Sequence, residues 1–369
     1  MASTGKDVVR ISTMDPDFEA APHIKEACIK ALQEGGIYTH YMIGSRGLPE
    51  FTEAVAEYYS KFNVKYSPSE VLVTPGSGPA LRAACTGFLT AGDECIIPDA
   101  HFVLDTNITD LLGVKAVFVP LREENNFHLV LDDLRKAVTP KTKMIFITNP
   151  NNPTGTVYTE KELRGIADVA LEHNLYVLSD EIYTEYLFDN RKHFAIASIE
   201  GMKERTIIAQ SLSKTFAMTG WRIGWALAHE KLMPKVERGL LGISTPPFIQ
   251  KAGVAALKGP WDAVNEMRKE YQRRRDYMAD TLSKIPGFKC AKPEACLVAW
   301  PNIKGTGMSS QKLAQILLEK GKVAVGAGDR FGPNGEGYLR ISFTFKMETL
   351  KEGVSRIEQT VKSLVKARA

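Results

Sequence analysis

Short apolar runs alternate with helical patterns from residue 70 to about residue 226, and this alternation limits the possible folds more than any other feature. Short apolar runs bounded by turn residues are typical of buried strands, and strands that alternate with helices form parallel sheets covered on both faces. The predicted strands are residues 71–74, 94–97, 116–119, 144–148, 175–179, 206–210 and 223–226. The sequence therefore predicts an α/β fold with a mostly parallel seven-stranded sheet.

Ligands bind such sheets at the carboxyl ends of the strands, and a glycine-rich turn follows the first predicted strand. It contains Gly76, Ser77 and Gly78, and a helix is predicted from about Ala80. Backbone N–H groups at a helix start bind anions, although such turns are also common for steric reasons. No Gly-Lys-Ser/Thr follows, which excludes a nucleotide P-loop.

Three further strand ends carry candidate side chains. Phe102 could stack on a flat ring, and a core phenylalanine is almost equally compatible with the sequence. Asn152 lies in the run Asn-Pro-Asn-Asn-Pro-Thr-Gly, whose members also form ordinary turns. A buried carboxylate at Asp180 would be costly without a cation, unless it simply caps a helix. Tyr183 follows it.

The sixth predicted strand leads into Ser-Leu-Ser-Lys-Thr-Phe, with Gly-Trp-Arg-Ile-Gly shortly after it. Lys214 could be one of many solvated lysines, but it leaves a buried strand end. A lysine can hold an aldehyde as a Schiff base. Ser211, Ser213 and Arg222 supply hydroxyls and a guanidinium, which suit a phosphate dianion.

This lysine segment resembles that of class I/II aminotransferases, the fold-type-I pyridoxal phosphate enzymes related to aspartate aminotransferase. The similarity extends from Asp15 to Ser342, with the family's motifs in the family's order. It implies a transaminase that uses pyridoxal 5'-phosphate and moves an amino group from an L-amino acid to a 2-oxo acid by ping-pong chemistry. It also implies a smaller α/β C-terminal domain, and we predict an N-terminal segment 1–40 packed on that domain, a cofactor-binding domain 41–284 and a small domain 285–369.

The resemblance also assigns roles to residues, and no metal is implied. Lys214 would hold the cofactor as an aldimine, Asp180 would face its ring nitrogen and Tyr183 its ring oxygen. Further cofactor contacts would be Gly76, Ser77, Gly78, Phe102, Asn152, Ser211, Ser213 and Arg222. Arg340, with Asn152, would clamp the substrate carboxylate, because a guanidinium binds it with two parallel hydrogen bonds.

Family members are homodimers in which a tyrosine reaches across to the partner's cofactor. Tyr41 matches this tyrosine best, although its spacing to Gly47 is longer than usual, and Tyr38 competes with it. A loop tyrosine without a ligand is the structural alternative for both.

Charge and cysteine content indicate where the protein works. The net charge of +4 is spread along the chain, and we interpret the densest basic cluster, Arg273 to Arg275, as a solvated helix face rather than a nucleic-acid site. The five cysteines are odd in number and lack Cys-x-x-Cys spacing. With no apolar signal region or membrane-spanning run, they indicate a cytoplasmic protein with reduced thiols.

Two other functions compete with transamination. A β-lyase would use the same cofactor contacts and differ in the fate of the same carbanion. An amino-acid-sensing regulator would need a DNA-binding module before the aminotransferase-like part, and the predicted fold begins at about residue 10.

The sequence does not identify the amino donor or the 2-oxo acid acceptor. Met14 stands where the family has glycine, and residues 294–298 replace the family's Ser-Gly-Ala-Phe-Tyr wall with Glu-Ala-Cys-Leu-Val. We expect an aspartate-, alanine- or aromatic-type donor with 2-oxoglutarate or pyruvate as acceptor. An acidic donor would need a second cation, for which Arg46, His101 and Arg330 are candidates.

Overall fold

The computed structural model describes residues 7–42, 46–240 and 245–366. Its strands are β1 (Val9–Arg10), β2 (Val71–Thr74), β3 (Glu94–Asp99), β4 (Lys115–Pro120), β5 (Thr142–Thr148), β6 (Tyr176–Asp180), β7 (Thr206–Ser211), β8 (Gly224–Ala228), β9 (Val298–Ala299), β10 (Val323–Ala324), β11 (Gly326–Ala327) and β12 (Leu339–Ser342). Its α-helices are α1 (Pro22–Glu34), α2 (Pro49–Ser60), α3 (Ser77–Phe88), α4 (Val103–Leu111), α5 (Leu131–Ala137), α6 (Glu160–Glu172), α7 (Leu212–Thr215), α8 (Met233–Gly239), α9 (Pro247–Lys258), α10 (Asp262–Leu282), α11 (Ser310–Glu319) and α12 (Met347–Lys366).

The central sheet has seven strands in the order β2-β8-β7-β6-β5-β3-β4. Strand β8 runs antiparallel to both its neighbours, and the other pairs are parallel. Strands β2, β3, β6 and β7 are buried along almost their whole length, as their continuous apolar runs indicate for a sheet covered on both faces. The predicted α/β class and mostly parallel seven-stranded sheet are confirmed.

Two helix starts show how local sequence sets the boundaries. Helix α6 begins with the expected capping box, in which Thr159 and Glu162 exchange side-chain and backbone hydrogen bonds. Helix α3 begins at Ser77 rather than near Ala80, because Gly76 takes the N-cap position with φ +95°. The glycine-rich turn therefore lies directly at the helix N-terminus.

The N-terminal and C-terminal parts form two small sheets beside the central one. Strand β1 pairs in parallel with β10, and β12 lies between β11 and β9. The N–H groups of Ser342 and Phe343 donate to the carbonyls of Ile11 and Leu297, respectively. These bonds join three distant parts of the chain, while α1 packs against α9.

The arginine cluster on α10 is mostly buried, so our interpretation of it as a solvated helix face is wrong for two of its three members. Arg274 and Arg275 are 4% and 1% exposed. Arg274 pairs with Asp17 at 2.8 Å, and Arg275 with Asp189 at 2.6 Å. Buried guanidinium groups require such partners, and these acids lie far away in sequence. Only Arg273 of this cluster has a mostly exposed side chain.

All five cysteines lie within the described residues and are unpaired thiols, four of them buried. Across the same ranges, none of the helices combines the length and apolar character needed to cross a lipid bilayer.

Candidate active site

A cavity of about 350 Å³ lies at the carboxyl ends of the central strands. Nine predicted site residues line it, namely Ser77, Phe102, Asn152, Asp180, Tyr183, Ser213, Lys214, Arg222 and Arg340. Gly76 and Gly78 flank Ser77 in the chain, and Ser211 contacts the lining residue Ser213 through a hydrogen bond. Strand pairing explains the convergence, because parallel strands end at the same edge of a sheet.

The glycine turn forms an anion cradle against Arg222. This guanidinium donates to the carbonyl oxygens of Pro75 at 3.0 Å and Thr219 at 2.7 Å. A Cβ added to Gly76 would overlap Arg222 Nη2, and a Cβ on Gly224 would lie 2.7 Å from the carbonyl carbon of Gly76. Only glycine at both positions leaves the N-terminus of α3 open to an anion. This donor set fits a phosphate.

Lys214 lies on the short helix α7, directly after the end of β7. The side-chain oxygen of Ser211 caps this helix by accepting from the N–H of Ser213 at 3.3 Å. The Lys214 amine donates to the carbonyl oxygen of Met14. Burial lowers the pKa of this amine to about 8, so an appreciable fraction is neutral near physiological pH and can act as a nucleophile.

Asp180 is a buried acid that lacks a cation. It ends β6, in register with Thr148 of β5 and Ala209 of β7. Within the described ranges its carboxylate accepts a hydrogen bond from the N–H of Ile182 at 3.3 Å and has no basic partner. Burial raises the pKa of Asp180 to about 7. No helix begins here, so the helix-cap alternative does not apply, and a protonated ring nitrogen is the kind of partner this carboxyl lacks.

Arg340 of β12 provides a second, separate anion site. Its Nη2 donates to the carbonyl oxygen of Ser12 at 2.9 Å, its Nη1 lies 3.5 Å from Asn152 Oδ1, and it stacks 4.5 Å over the ring of Phe331. The buried Nε has no hydrogen-bond partner among the described residues. A buried guanidinium with an unused donor is suited to a carboxylate.

Asn152 and Tyr183 both line the cavity from turns that follow strands of the central sheet. The Asn152 turn is held by Asn151, whose Oδ1 accepts from Thr154 Oγ1 at 2.8 Å. The Tyr183 hydroxyl is buried and donates to Met14 Sδ at 3.4 Å. Burial, above all, raises the pKa of Tyr183, so its phenol remains a hydrogen-bond donor.

The two tyrosines proposed for a partner's site lie elsewhere. Tyr41 is 74% exposed and shares a separate surface hollow with Tyr38, Thr245 and Phe248. Neither Tyr38 nor Tyr41 lines the cavity of its own chain.

The candidate second cations are also outside the cavity lining. His101 is 2% exposed and pairs with Asp99 at 3.0 Å. Arg46 pairs with Glu237 at 2.9 Å. Arg330 is exposed, and the pKa of Arg340 is lowered by burial and, to a smaller extent, by the charge of Arg330.

Several lining residues were not predicted from the sequence as cofactor or substrate contacts. They are Thr13, Leu81, Leu104, Thr148, Ile182 and Thr219. Met14, which the sequence singles out because the family has glycine there, also lines the cavity. Thr148 ends a predicted strand beside the asparagine-proline run, and this position could have identified it. Thr13 and Thr219 carry no comparable signal, because the N-terminal segment reaches the cavity through tertiary contacts such as Thr219 Oγ1 to Asp15 at 2.6 Å.

Comparison with known proteins shows the family to which this chain belongs. The family model for "Aminotransferase class I and II" matches residues 6–357. An aspartate aminotransferase of Pyrococcus horikoshii is 41% identical over 98% of this chain and 92% of its own length. An aromatic-amino-acid aminotransferase of Thermococcus litoralis is also 41% identical, over 96% and 92%. The crystal structure of an aromatic aminotransferase from Pyrococcus horikoshii superposes with a TM-score of 0.93 at 40% identity, covering 98% of this chain and 97% of that one.

Proposed function

This chain belongs to the aminotransferases of class I and II, which makes it a pyridoxal phosphate-dependent transaminase, and we propose that Lys214 carries the cofactor. One observation carries the assignment: a buried amine, a buried acid without a cation and an open anion cradle share one cavity. In this proposal Asp180 faces the ring nitrogen. Arg222 and the turn with Gly76 hold the phosphate.

The remaining cofactor contacts follow from the same arrangement. Ser77, Gly78, Ser211 and Ser213 surround the cradle, and their hydroxyl and N–H groups add donors for the phosphate. Phe102 would pack against the cofactor ring, and Asn152 and Tyr183 would donate hydrogen bonds to its ring oxygen. These residues fix the ring's orientation before the substrate arrives.

When bound, the cofactor's protonated ring withdraws electrons from the substrate Cα, and Asp180 keeps that ring protonated. Lys214 moves the proton at Cα as base and then as acid. Its pKa of about 8 suits both tasks near neutral pH. Arg340 and Asn152 hold the substrate carboxylate and thereby orient the Cα–H bond toward this amine.

Substitution Lys214→Ala tests the assignment. We expect loss of turnover by about 10⁴-fold or more, because the nucleophile and the general base are removed together. The measurement is the steady-state rate with the cofactor in excess. Lys231→Ala, at an exposed position after β8, serves as the matched control. Full turnover in Lys214→Ala would end the proposal.

The rival β-lyase activity differs in the fate of the cofactor. Transamination converts the cofactor stoichiometrically to its amine form and releases a 2-oxo acid, whereas elimination yields pyruvate and leaves the cofactor unchanged. The carboxylate clamp at Arg340 does not distinguish the two, so a single-turnover absorbance measurement without acceptor is the deciding experiment. Unchanged absorbance with release of pyruvate would identify the lyase.

For the amino donor, we propose an apolar or aromatic side chain. The charged residues at the described cavity lining are Asp180, Lys214, Arg222 and Arg340, and each already has a role. The other walls include Met14, Phe102, Leu104 and Ile182. Aspartate is the second candidate, favoured by Arg330 near the clamp, with alanine as a smaller alternative. A donor panel with 2-oxoglutarate or pyruvate as acceptor decides between them by kcat/KM.

We also propose a homodimer in which Tyr41 of each chain reaches the partner's phosphate cradle. Ile29, Leu32, Ile37 and Tyr41 are large apolar side chains that are 47–74% exposed, which suits a covered surface. Sedimentation analysis tests the dimer. Tyr41→Phe tests the contact through cofactor affinity, with Tyr38→Phe distinguishing the competing tyrosine.

A cytoplasmic location completes the proposal. Five unpaired thiols suit a reducing compartment. Cell fractionation with an antibody against the native chain would test this location.

A further inference from the structure

The N-terminal segment connects the two ends of the active site. The carbonyl oxygen of Ser12 accepts from Arg340, and that of Met14 accepts from the Lys214 amine. Thr219 Oγ1 fastens the segment by donating to Asp15 at 2.6 Å. Met14 therefore lies beside the proposed reacting amine, and its side chain lines the cavity.

The Met14 side chain also contacts the tyrosine that faces the cofactor. Its Sδ accepts the hydrogen of the Tyr183 hydroxyl at 3.4 Å. The buried Cys296 thiol is a second sulfur beside this hydroxyl. Since burial keeps the phenol protonated, it has a single proton to donate, and an acceptor that takes this proton withholds it from any other.

We propose that Met14 is a positioning residue that competes with the cofactor's ring oxygen for the Tyr183 proton. The inference rests on the proposed contact between Tyr183 and that oxygen. A thioether is a weak acceptor, so the competition weakens the contact without abolishing it. Met14 thereby adjusts how strongly the protein stabilises negative charge on the ring oxygen.

This competition has a consequence that can be measured in the absorption of the cofactor-loaded protein. A hydrogen bond to an anionic oxygen favours the anion, so a stronger Tyr183 contact moves the pH-dependent absorption change to lower pH. The charged or titratable groups that act on Lys214 are Asp15, Cys296, Arg340 and Arg222, with Asp180 at the adjoining strand end. They stay constant in the variants compared below.

The test is Met14→Leu, which conserves volume and removes the sulfur acceptor. We expect the midpoint of the absorption titration to fall by about half a pH unit, the size expected for a weak neutral hydrogen bond. Met267→Leu is the matched control, because Met267 Sδ lies 3.9 Å from the Tyr186 hydroxyl, which has a better acceptor in the Lys214 carbonyl at 2.9 Å. This control should leave the midpoint in place.

A second pair of variants distinguishes an effect of Met14 through the Tyr183 proton from an effect of its side-chain packing. In a Tyr183→Phe background the phenol proton is absent, so Met14→Leu should no longer shift the midpoint. An equal shift in both backgrounds, or none in the native background, would overturn the inference. If Tyr183→Phe alone left the midpoint unchanged, the proposed Tyr183 contact would fail as well. Circular dichroism and thermal melts establish that every variant is folded.

Discussion

The two halves of the site are assembled differently. The proposed cofactor half is defined as Gly76, Asp180, Lys214 and Arg222. The first three lie at or just after carboxyl ends of strands in one sheet, and Arg222 lies just before the antiparallel strand β8. The proposed substrate half is defined as Met14 and Arg340, with Cys296 beside the cavity rather than in its lining. These residues come from three parts of the chain that meet at β12. Register within one sheet determines the first half, whereas the second depends on docking of the N-terminal segment and the small sheets.

This difference predicts different consequences when each half is damaged. The cofactor half contains Asp180, a buried acid whose ionisation costs stability. Replacing this residue should therefore lower activity and raise the stability of the cofactor-free protein. In the substrate half the Arg340 guanidinium binds the main-chain carbonyl of Ser12, so its loss should weaken substrate binding and leave cofactor binding unchanged.

After Lys214→Ala, the largest effect is expected for Asp180→Asn, also in the cofactor half. Turnover should fall by about 10²–10³-fold, because the proposed role of Asp180 is to supply one preorganised charge opposite the cofactor ring. Burial raises the pKa of Asp180 from 3.8 to about 7 in the cofactor-free protein, so the folded state holds this proton more tightly than the unfolded chain. Ionisation therefore costs stability as the pH rises through this window, and the cofactor-free variant should be more stable above pH 7, by on the order of a few kcal/mol.

Thermal melts at several pH values, with and without cofactor, measure the change in stability, and steady-state rates measure the loss of turnover. Asp105→Asn is the matched control, since Asp105 is also a buried acid whose pKa burial raises, but it does not line the cavity. A turnover loss in the control as large as that in Asp180→Asn would contradict the proposed role.

The next effect is expected for Arg340→Lys in the substrate half. Lysine keeps the charge but loses the two-pronged geometry, so kcat/KM should fall about 10- to 100-fold, the size of a charge-assisted hydrogen bond. Cofactor affinity, measured by absorption titration, should be unchanged. A parallel loss of cofactor affinity would show that the two halves are not separable.

The smallest effect concerns a contact between residues 128–162 and Glu294, which lies in the segment that leads to Cys296. His128 binds Glu162 at 3.0 Å and lies 3.7 Å from Glu294, whose Oε2 accepts from the N–H of Val157 at 2.9 Å. Hydrogen bonds to Glu162 and then Glu294 raise the pKa of His128 from 6.5 to about 9. Its stabilising contribution is complete below pH 6.5 and is lost as the pH rises through 9.

Replacing His128 by Gln should remove this pH dependence and about 1–2 kcal/mol of stability at pH 7, allowing for solvent screening. Urea unfolding at several pH values measures the free energy of unfolding and its dependence on pH. His173→Gln, on the exposed end of α6, is the control. An unchanged slope between pH 7 and 9 in His128→Gln would contradict the assignment.

Residue patterns alone predicted much of the central sheet and the positions of its ligand-binding ends. All seven predicted strands are present, because a strand buried on both faces needs a continuous apolar run that can be read locally. The Thr159 capping box is equally local, since both its partners lie within one helical turn. The cavity contains Asp180, Lys214 and Asn152 for the same reason, as each lies one to four residues after the end of a predicted strand.

Other features were decided by tertiary structure. Arg274 and Arg275 look like surface charges in sequence, and only folding shows the distant acids that permit their burial. The contacts of Met14 with Lys214 and Tyr183 bridge about two hundred residues of chain, which no local pattern encodes. Hydrophobic periodicity specifies which faces are buried, whereas the pairing of polar atoms inside depends on which buried surfaces finally meet.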